Sequence, residues 1–209
     1  MARDMQTNTW WRLAAGLIAG SWSIASIGQS VAEKPELRVG DRWVFHETGS
    51  DGGREVDRRW SREIVDIASD GVIRVKRRDG NFISFDSSWN PRPPDHPDIG
   101  PHDFEFPLKV GAKWSYSSPP GERFRVQSFH EVMAYERIAV PAGAYECFRL
   151  EGESRYDEKY YGETWYMTRW YCPAVKYLAK LHIVRNIRAI GPPSRSVLDS
   201  ELVKFGEVN

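Results

Sequence analysis

Along most of the chain, apolar and polar positions alternate with a period of two. In "RWVFHET", Trp43 and Phe45 fall on one side and Arg42, Val44 and His46 on the other. In "GVIRVKRRDGNFISFD", Ile73 and Val75 oppose Arg74 and Lys76, and Asp79-Gly80 leads into Phe82. Asp-Gly supplies the positive φ of a tight hairpin turn, so this stretch predicts a hairpin. The β-favouring run "ERFRVQSFHEVMAYERIAV" ends in a "VPAG" turn, and "AYECFRLEGES", "ETWYMTRWYC", "KYLAKLHIVRNI" and "SVLDSELVKF" follow. After residue 32 no window of helix length carries an apolar stripe of period 3.6. The pattern predicts an all-β protein, an antiparallel meander of about ten strands forming a curved sheet, half-barrel or sandwich.

Two stretches read almost alike. "LRVGDRWVF" at 37–45 and "LKVGAKWSY" at 108–116 share Leu, a basic residue, Val-Gly, a second basic residue, Trp, and an aromatic two places on. Val-Gly lets the backbone turn sharply at a strand entrance. The Trp and the following aromatic then share a face, because side chains alternate along a strand. Between the two copies lies "NPRPPDHPDIGPH", where proline removes ladder donors and excludes a central strand. The expected organisation is one domain of two related β-meander halves, 33–89 and 106–209, joined by a proline-rich linker at 90–105.

The first 32 residues stand apart. Arg3 and Arg12 flank a start followed by a charge-free run at 13–27, and Ser30-Val31-Ala32 places small side chains where a signal peptidase reads. This is the three-part form of a secretory signal cleaved after Ala32, with a second possible point after Gly28. A retained anchor is the alternative, but the run is shorter than the ~18–20 residues that span a bilayer. The expected location is exported and periplasmic, with no stable membrane span after processing. The whole chain has a formal charge of zero, and loss of residues 1–32 leaves it at minus one. Such a balance gives no field to steer towards nucleic acid. The arginine-rich stretch 54–78 is interleaved with acids and reads as the wet face of a sheet.

The motifs "FPLKVGAKWSY", "IAVPAGAYECFRLE", "WYCPAVKYLAK" and "SELVKF" together resemble an uncharacterised family of exported bacterial β-domain proteins, some labelled TapB-like. The likeness covers residues 106–205 and, less closely, 37–86. It implies an antiparallel, strongly curved sheet similar in kind to periplasmic lipid-handling half-barrels. The chain departs from the family pattern at Lys176, where glycine is the rule, so the turn there is the point to watch. No established activity comes with the resemblance.

The only two cysteines are expected to pair as a disulfide, Cys147–Cys172. Export implies an oxidising compartment. A hairpin centred between Lys159 and Tyr160 sets Cys147 opposite Cys172, Arg149 opposite Trp170 and Glu151 opposite Thr168. Its other face gathers Phe148, Leu150, Trp165, Met167 and Tyr171, a core face apart from Arg169. A one-residue slip would leave two separate thiols.

Catalytic and metal motifs are absent: no G-x-S-x-G, no H-E-x-x-H, no phosphate loop and no C-x-x-C. The group Asp95, His96, Asp98, His102 and Asp103 has no closed metal-ligand spacing and reads as a solvent loop, so no metal and no cofactor are expected. His46, His130 and His182 read as satisfied or exposed strand histidines. Trp43, Phe45, Trp114, Tyr116 and Trp165 are the candidate ligand contacts. If side chains fill the face they share, they are core; if it is left open, they line an apolar groove. The sequence therefore points to an exported, non-catalytic binding or scaffold module for a small apolar molecule or lipid. The alternative is an envelope hydrolase with an unrecognised site.

Overall fold

A computed structural model of the chain describes residues 30–92, 102–119 and 125–207. The charge-free run at 13–27 and Asp95, His96 and Asp98 lie outside them. The described strands are β1 (Val31–Ala32), β2 (Asp41–Asp51), β3 (Arg54–Ile67), β4 (Ile73–Arg77), β5 (Phe82–Phe85), β6 (Leu108–Lys109), β7 (Lys113–Ser117), β8 (Arg125–Val140), β9 (Gly143–Glu158), β10 (Tyr161–Cys172), β11 (Tyr177–Arg188) and β12 (Ser194–Glu207). Ten of them make one antiparallel sheet, ordered β5-β4-β3-β2-β12-β11-β10-β9-β8-β7, while β1 and β6 pair separately. The all-β expectation holds, and the sheet is open rather than closed into a barrel, with β5 and β7 at its edges. No described helix is long and apolar enough to cross a membrane.

The two similar stretches adopt the same local geometry. Gly40 and Gly111 have φ of 94° and 85°, values that glycine reaches without a Cβ clash. The Gly40 N–H donates to the Ile64 carbonyl and the Gly111 N–H to the Val132 carbonyl, at 2.9 and 2.8 Å. Each acceptor belongs to the strand that pairs with the new one. The first stretch opens β2 at the middle of the sheet, and the second opens β7 at its edge. Pairing of β12 with β2 makes the ladder continuous between the strands of 33–89 and those of 106–209.

Single extra residues interrupt four strands: Val65 on β3, Met133 on β8, Ala179 on β11 and Val203 on β12. Such bulges bend a strand and sharpen its twist. The bend shows in the β8–β9 hairpin, whose turn residue Ala142 donates its N–H to Leu202 on β12 at 2.9 Å. Two strands separate these elements in the sheet order, so the hairpin tip curls over the sheet's core face. Cys147 and Cys172 are disulfide-bonded across β9 and β10, 4.2 Å apart at Cα. The register there pairs Glu158 with Tyr161, Arg149 with Trp170 and Glu151 with Thr168.

Loops cover the core face. Trp89 packs edge-on against Trp43 at 5.3 Å and tilted against Tyr177 at 4.5 Å, and its indole N–H donates to the Lys176 carbonyl. Asn90 holds both ends of the proline-rich segment together. Its side-chain oxygen accepts from the Phe104 N–H at 2.8 Å, and its amide donates to the Phe104 carbonyl at 3.1 Å. The described ends of the stretch expected as a linker are therefore held together at one point.

The turn at Lys176 keeps a glycine-like backbone without glycine, with φ of 58°. Lys176 ends a short 3-10 turn at Pro173–Val175, and its ammonium holds the buried Asp41 carboxylate at 2.9 Å. At the N-terminal end, β1 brings Ala32 opposite Leu108, and both are buried. Cleavage after Ala32 would remove this strand; processing after Gly28 would keep it.

Candidate functional site: the polar end of the core face

Directly opposed residues of an antiparallel ladder share a face, as do residues two apart on one strand. Phe45 faces Leu202, Ser200 faces Leu181, Leu181 faces Arg169, Arg169 faces Leu150, Leu150 faces Val132 and His130 faces Trp114. This path crosses no bulge. Trp43, Phe45, Trp114 and Tyr116 therefore lie on one face of one sheet, together with Trp165.

Its two ends differ in kind. Around β2 the face is filled. Trp43 stacks on Phe205 at 5.5 Å and Phe45 on Trp60 at 4.2 Å. The Trp43 indole donates to the Val175 carbonyl at 2.7 Å. Trp43 and Phe45 are 0% and 1% exposed, so neither offers surface to a ligand.

Towards β7 the same face turns polar. Tyr116 faces Ser128, Ser128 faces Ser154, and Ser154 faces Trp165. His130 sits two residues from Ser128, opposite Gly152. Ser128 Oγ, His130 Nε2 and Ser154 Oγ are buried and have no hydrogen-bond partner among the described residues. Buried polar atoms are nearly always paired with protein or ordered water. Here three such atoms lie together on the adjacent strands β8 and β9. Half-buried aromatic rings flank it: Tyr116 stacked on His102 at 5.2 Å, and Trp165, whose indole donates to Glu163 at 2.6 Å.

The position of His130 is tightly determined. Trp114 packs beside it at 5.4 Å and donates its indole N–H to the His102 carbonyl. Gly152 is required opposite it, because a Cβ there would meet His130 Nδ1 and come within 2.8 Å of Cε1. Burial, reinforced by the Arg169 guanidinium and His102, depresses the imidazole pKa to about 3. The ring is neutral. Arg169 Nη1 lies 3.4 Å from His130 Nδ1, and a guanidinium can only donate. Nδ1 is therefore the acceptor and Nε2 carries the proton, an unanswered donor. Arg169, on the core face of β10, is explained by Asp103, whose carboxylate accepts from Nη2 at 2.7 Å. Desolvation and nearby Asp103 raise the Tyr156 phenol pKa, keeping it protonated.

Of the ligand candidates read from sequence, Trp43 and Phe45 belong to the filled end, while Trp114, Tyr116 and Trp165 border the polar end. Sequence reasoning missed Ser128, Ser154 and Arg169 as a group, and took His130 for a satisfied or exposed residue. That holds for His46 and His182, bonded to Asp57 and Asp199 at 2.8 Å each, but His130 is buried with one nitrogen unpaired. The signal was present in "RVQSFH" and "EGESRY", where small or polar residues take the positions that the period of two assigns to the core. Of the histidine–aspartate group in the proline-rich loop, His102 and Asp103 are described; they serve Trp114 and Arg169. No cluster of three potential metal ligands occurs among the described residues.

No family model and no curated protein matches this sequence. Solved structures similar to the chain include a protein described as exported, with a YmcC-like fold, from Bacteroides fragilis NCTC 9343. It is 10% identical, with 84% of this chain and 100% of that one covered and a TM-score of 0.41. A protein described as a lipoprotein from Parabacteroides distasonis ATCC 8503 is 12% identical, with 85% and 100% covered and a TM-score of 0.45. The hypothetical lipoprotein YmcC from Escherichia coli K12 is 10% identical, with 79% and 86% covered and a TM-score of 0.40. None is described as TapB-like, and that resemblance stands on the motifs alone.

Proposed function

We propose that the protein is an exported, non-catalytic binding module, and that its ligand is a small hydrogen-bonding molecule with an apolar part held at the polar end of the core face. The observation that carries this is the trio of unpaired buried atoms, Ser128 Oγ, His130 Nε2 and Ser154 Oγ, beside Tyr116, Trp114 and Trp165. A hydroxyl left unpaired in a protein interior costs about 1–3 kcal/mol; a ligand that answers it removes the penalty. The aromatic walls supply contact area, and the proton on Nε2 calls for an acceptor on the ligand.

The hydrolase alternative is disfavoured by the same geometry. A serine–histidine pair works when a carboxylate at Nδ1 stabilises the imidazolium formed as the ring takes the proton. Here a guanidinium occupies that side of His130, and it repels such a cation. Export rests on the N-terminal pattern, with cleavage after Ala32, or after Gly28, which would keep β1.

Native mass spectrometry of the protein purified from its own envelope fraction tests the reading. The wild type should carry a bound small molecule, and Ser154→Leu, which fills the patch, should not. Ligand-free wild type, or an adduct retained by the variant, would overturn it.

A further inference from the structure

The ladder between β3 and β4 ends early. Pairing runs from Ile67–Ile73 to Arg62–Arg77, and beyond it Arg54–Ser61 of β3 continue with β2 on one side only. This step in the sheet holds a pocket of about 600 Å³ lined by Arg58, Arg59, Arg62, Arg77 and Arg78 with Trp60, Ser61, Asp79 and Ile83. Five guanidinium groups meet one carboxylate in its wall.

Two features set it apart from a solvated sheet face. Arg62 and Arg77 are directly opposed across the ladder, and like charges so placed destabilise a sheet. The positive charge is also incompletely answered. Arg58 is paired with Glu47, and Arg77 lies 3.8 Å from Asp79. Arg62 donates to the Tyr177 hydroxyl and sits 5.4 Å above the Trp60 ring. Arg78 donates to the Arg59 backbone carbonyl, a neutral partner that leaves its charge unbalanced. No hydrogen bond or ion pair of the Arg59 guanidinium is found among the described residues. Arg59 and Arg78 also line a smaller adjoining pocket with Arg42 and Val44.

We propose that this step is a second binding site, distinct from the polar patch, for a phosphate group. Guanidinium forks match the oxygens of a phosphate and bind it through charge-assisted pairs. Arg59, Arg77 and Arg78 are the exposed donors, Arg62 is the fixed one at the base, and Trp60 and Ile83 give the rest of the ligand an apolar rest. A bound phosphate offsets the Arg62–Arg77 repulsion.

Calorimetric titration with pyrophosphate tests for a free phosphate compound. Flotation with phosphatidylcholine vesicles, with or without about one lipid in five replaced by phosphatidic acid, tests for a lipid headgroup. Binding in either arm supports the site and identifies the source. It should weaken at least about tenfold in Arg59→Ala and in Arg78→Ala, fall with added salt, and be unchanged in Arg137→Ala, an arginine elsewhere on the surface. Absence of binding in both arms overturns the proposal, as does binding indifferent to the Arg59 and Arg78 variants. Circular dichroism on each variant shows that a loss of binding is not a loss of fold.

Discussion

His130 shows how much one side chain can be asked to do in a sheet. It is buried, pressed against Gly152, bordered by Trp114, and joined through Nδ1 to Arg169, with His102 the other nearby titratable group. Its pKa of about 3 lies below the ordinary 6.5. Between those values the unfolded chain takes up a proton that the folded protein refuses. This contribution to stability is therefore complete above pH 6.5 and lost progressively as the pH falls towards 3. Urea midpoints measured from pH 7 to pH 5 should drop further in the wild type than in His130→Asn, by about 2 kcal/mol in free energy. Parallel pH profiles would mean that the ring is free to ionise in the folded state.

Among the elements, the turn between β10 and β11 makes the sharpest case. Lys176 adopts a left-handed backbone that disfavours a side chain by about 1–2 kcal/mol, yet its ammonium neutralises Asp41 at the start of β2. Removing one partner of a buried pair costs about 3–5 kcal/mol. Lys176→Gly should relieve the backbone and still lose about 2 kcal/mol net in chemical denaturation; a gain in stability would show that the ion pair is idle. Sequence carried some of this organisation and not the rest. Period-two alternation and the two cysteines define the β9–β10 hairpin and its register, because those constraints are local. The contact of Lys176 with Asp41 is not local, and neither is the partner of Arg169, which lies 66 residues away in Asp103. The arginines of β3 and β4 read as a wet face because alternation says nothing about where a neighbouring strand stops. The orphan trio was hidden for a related reason: serine in a strand is unremarkable until its cross-strand neighbours are known.

At the scale of the molecule, one sheet bent over its own face is used in two ways. The β2 end is closed by Trp43, Phe45, Trp89, Tyr177 and Phe205, and Asn90 is bonded to Phe104 beside it. The β7 end keeps buried hydrogen-bonding atoms with no partner among the described residues. A protein selected for stability alone would fill such positions with apolar side chains, and the proposed binding role accounts for their polarity. The stability of Ser128→Ala/Ser154→Ala, followed by equilibrium denaturation alongside retention of the envelope-derived adduct, tests this most directly. If the hydroxyls serve a ligand, the ligand-free variant should be as stable as the ligand-free wild type or gain about 1 kcal/mol, and the adduct should be lost. A variant destabilised by about 2 kcal/mol or more, with the adduct unaffected, would show that both serines are structural and that the ligand site lies elsewhere.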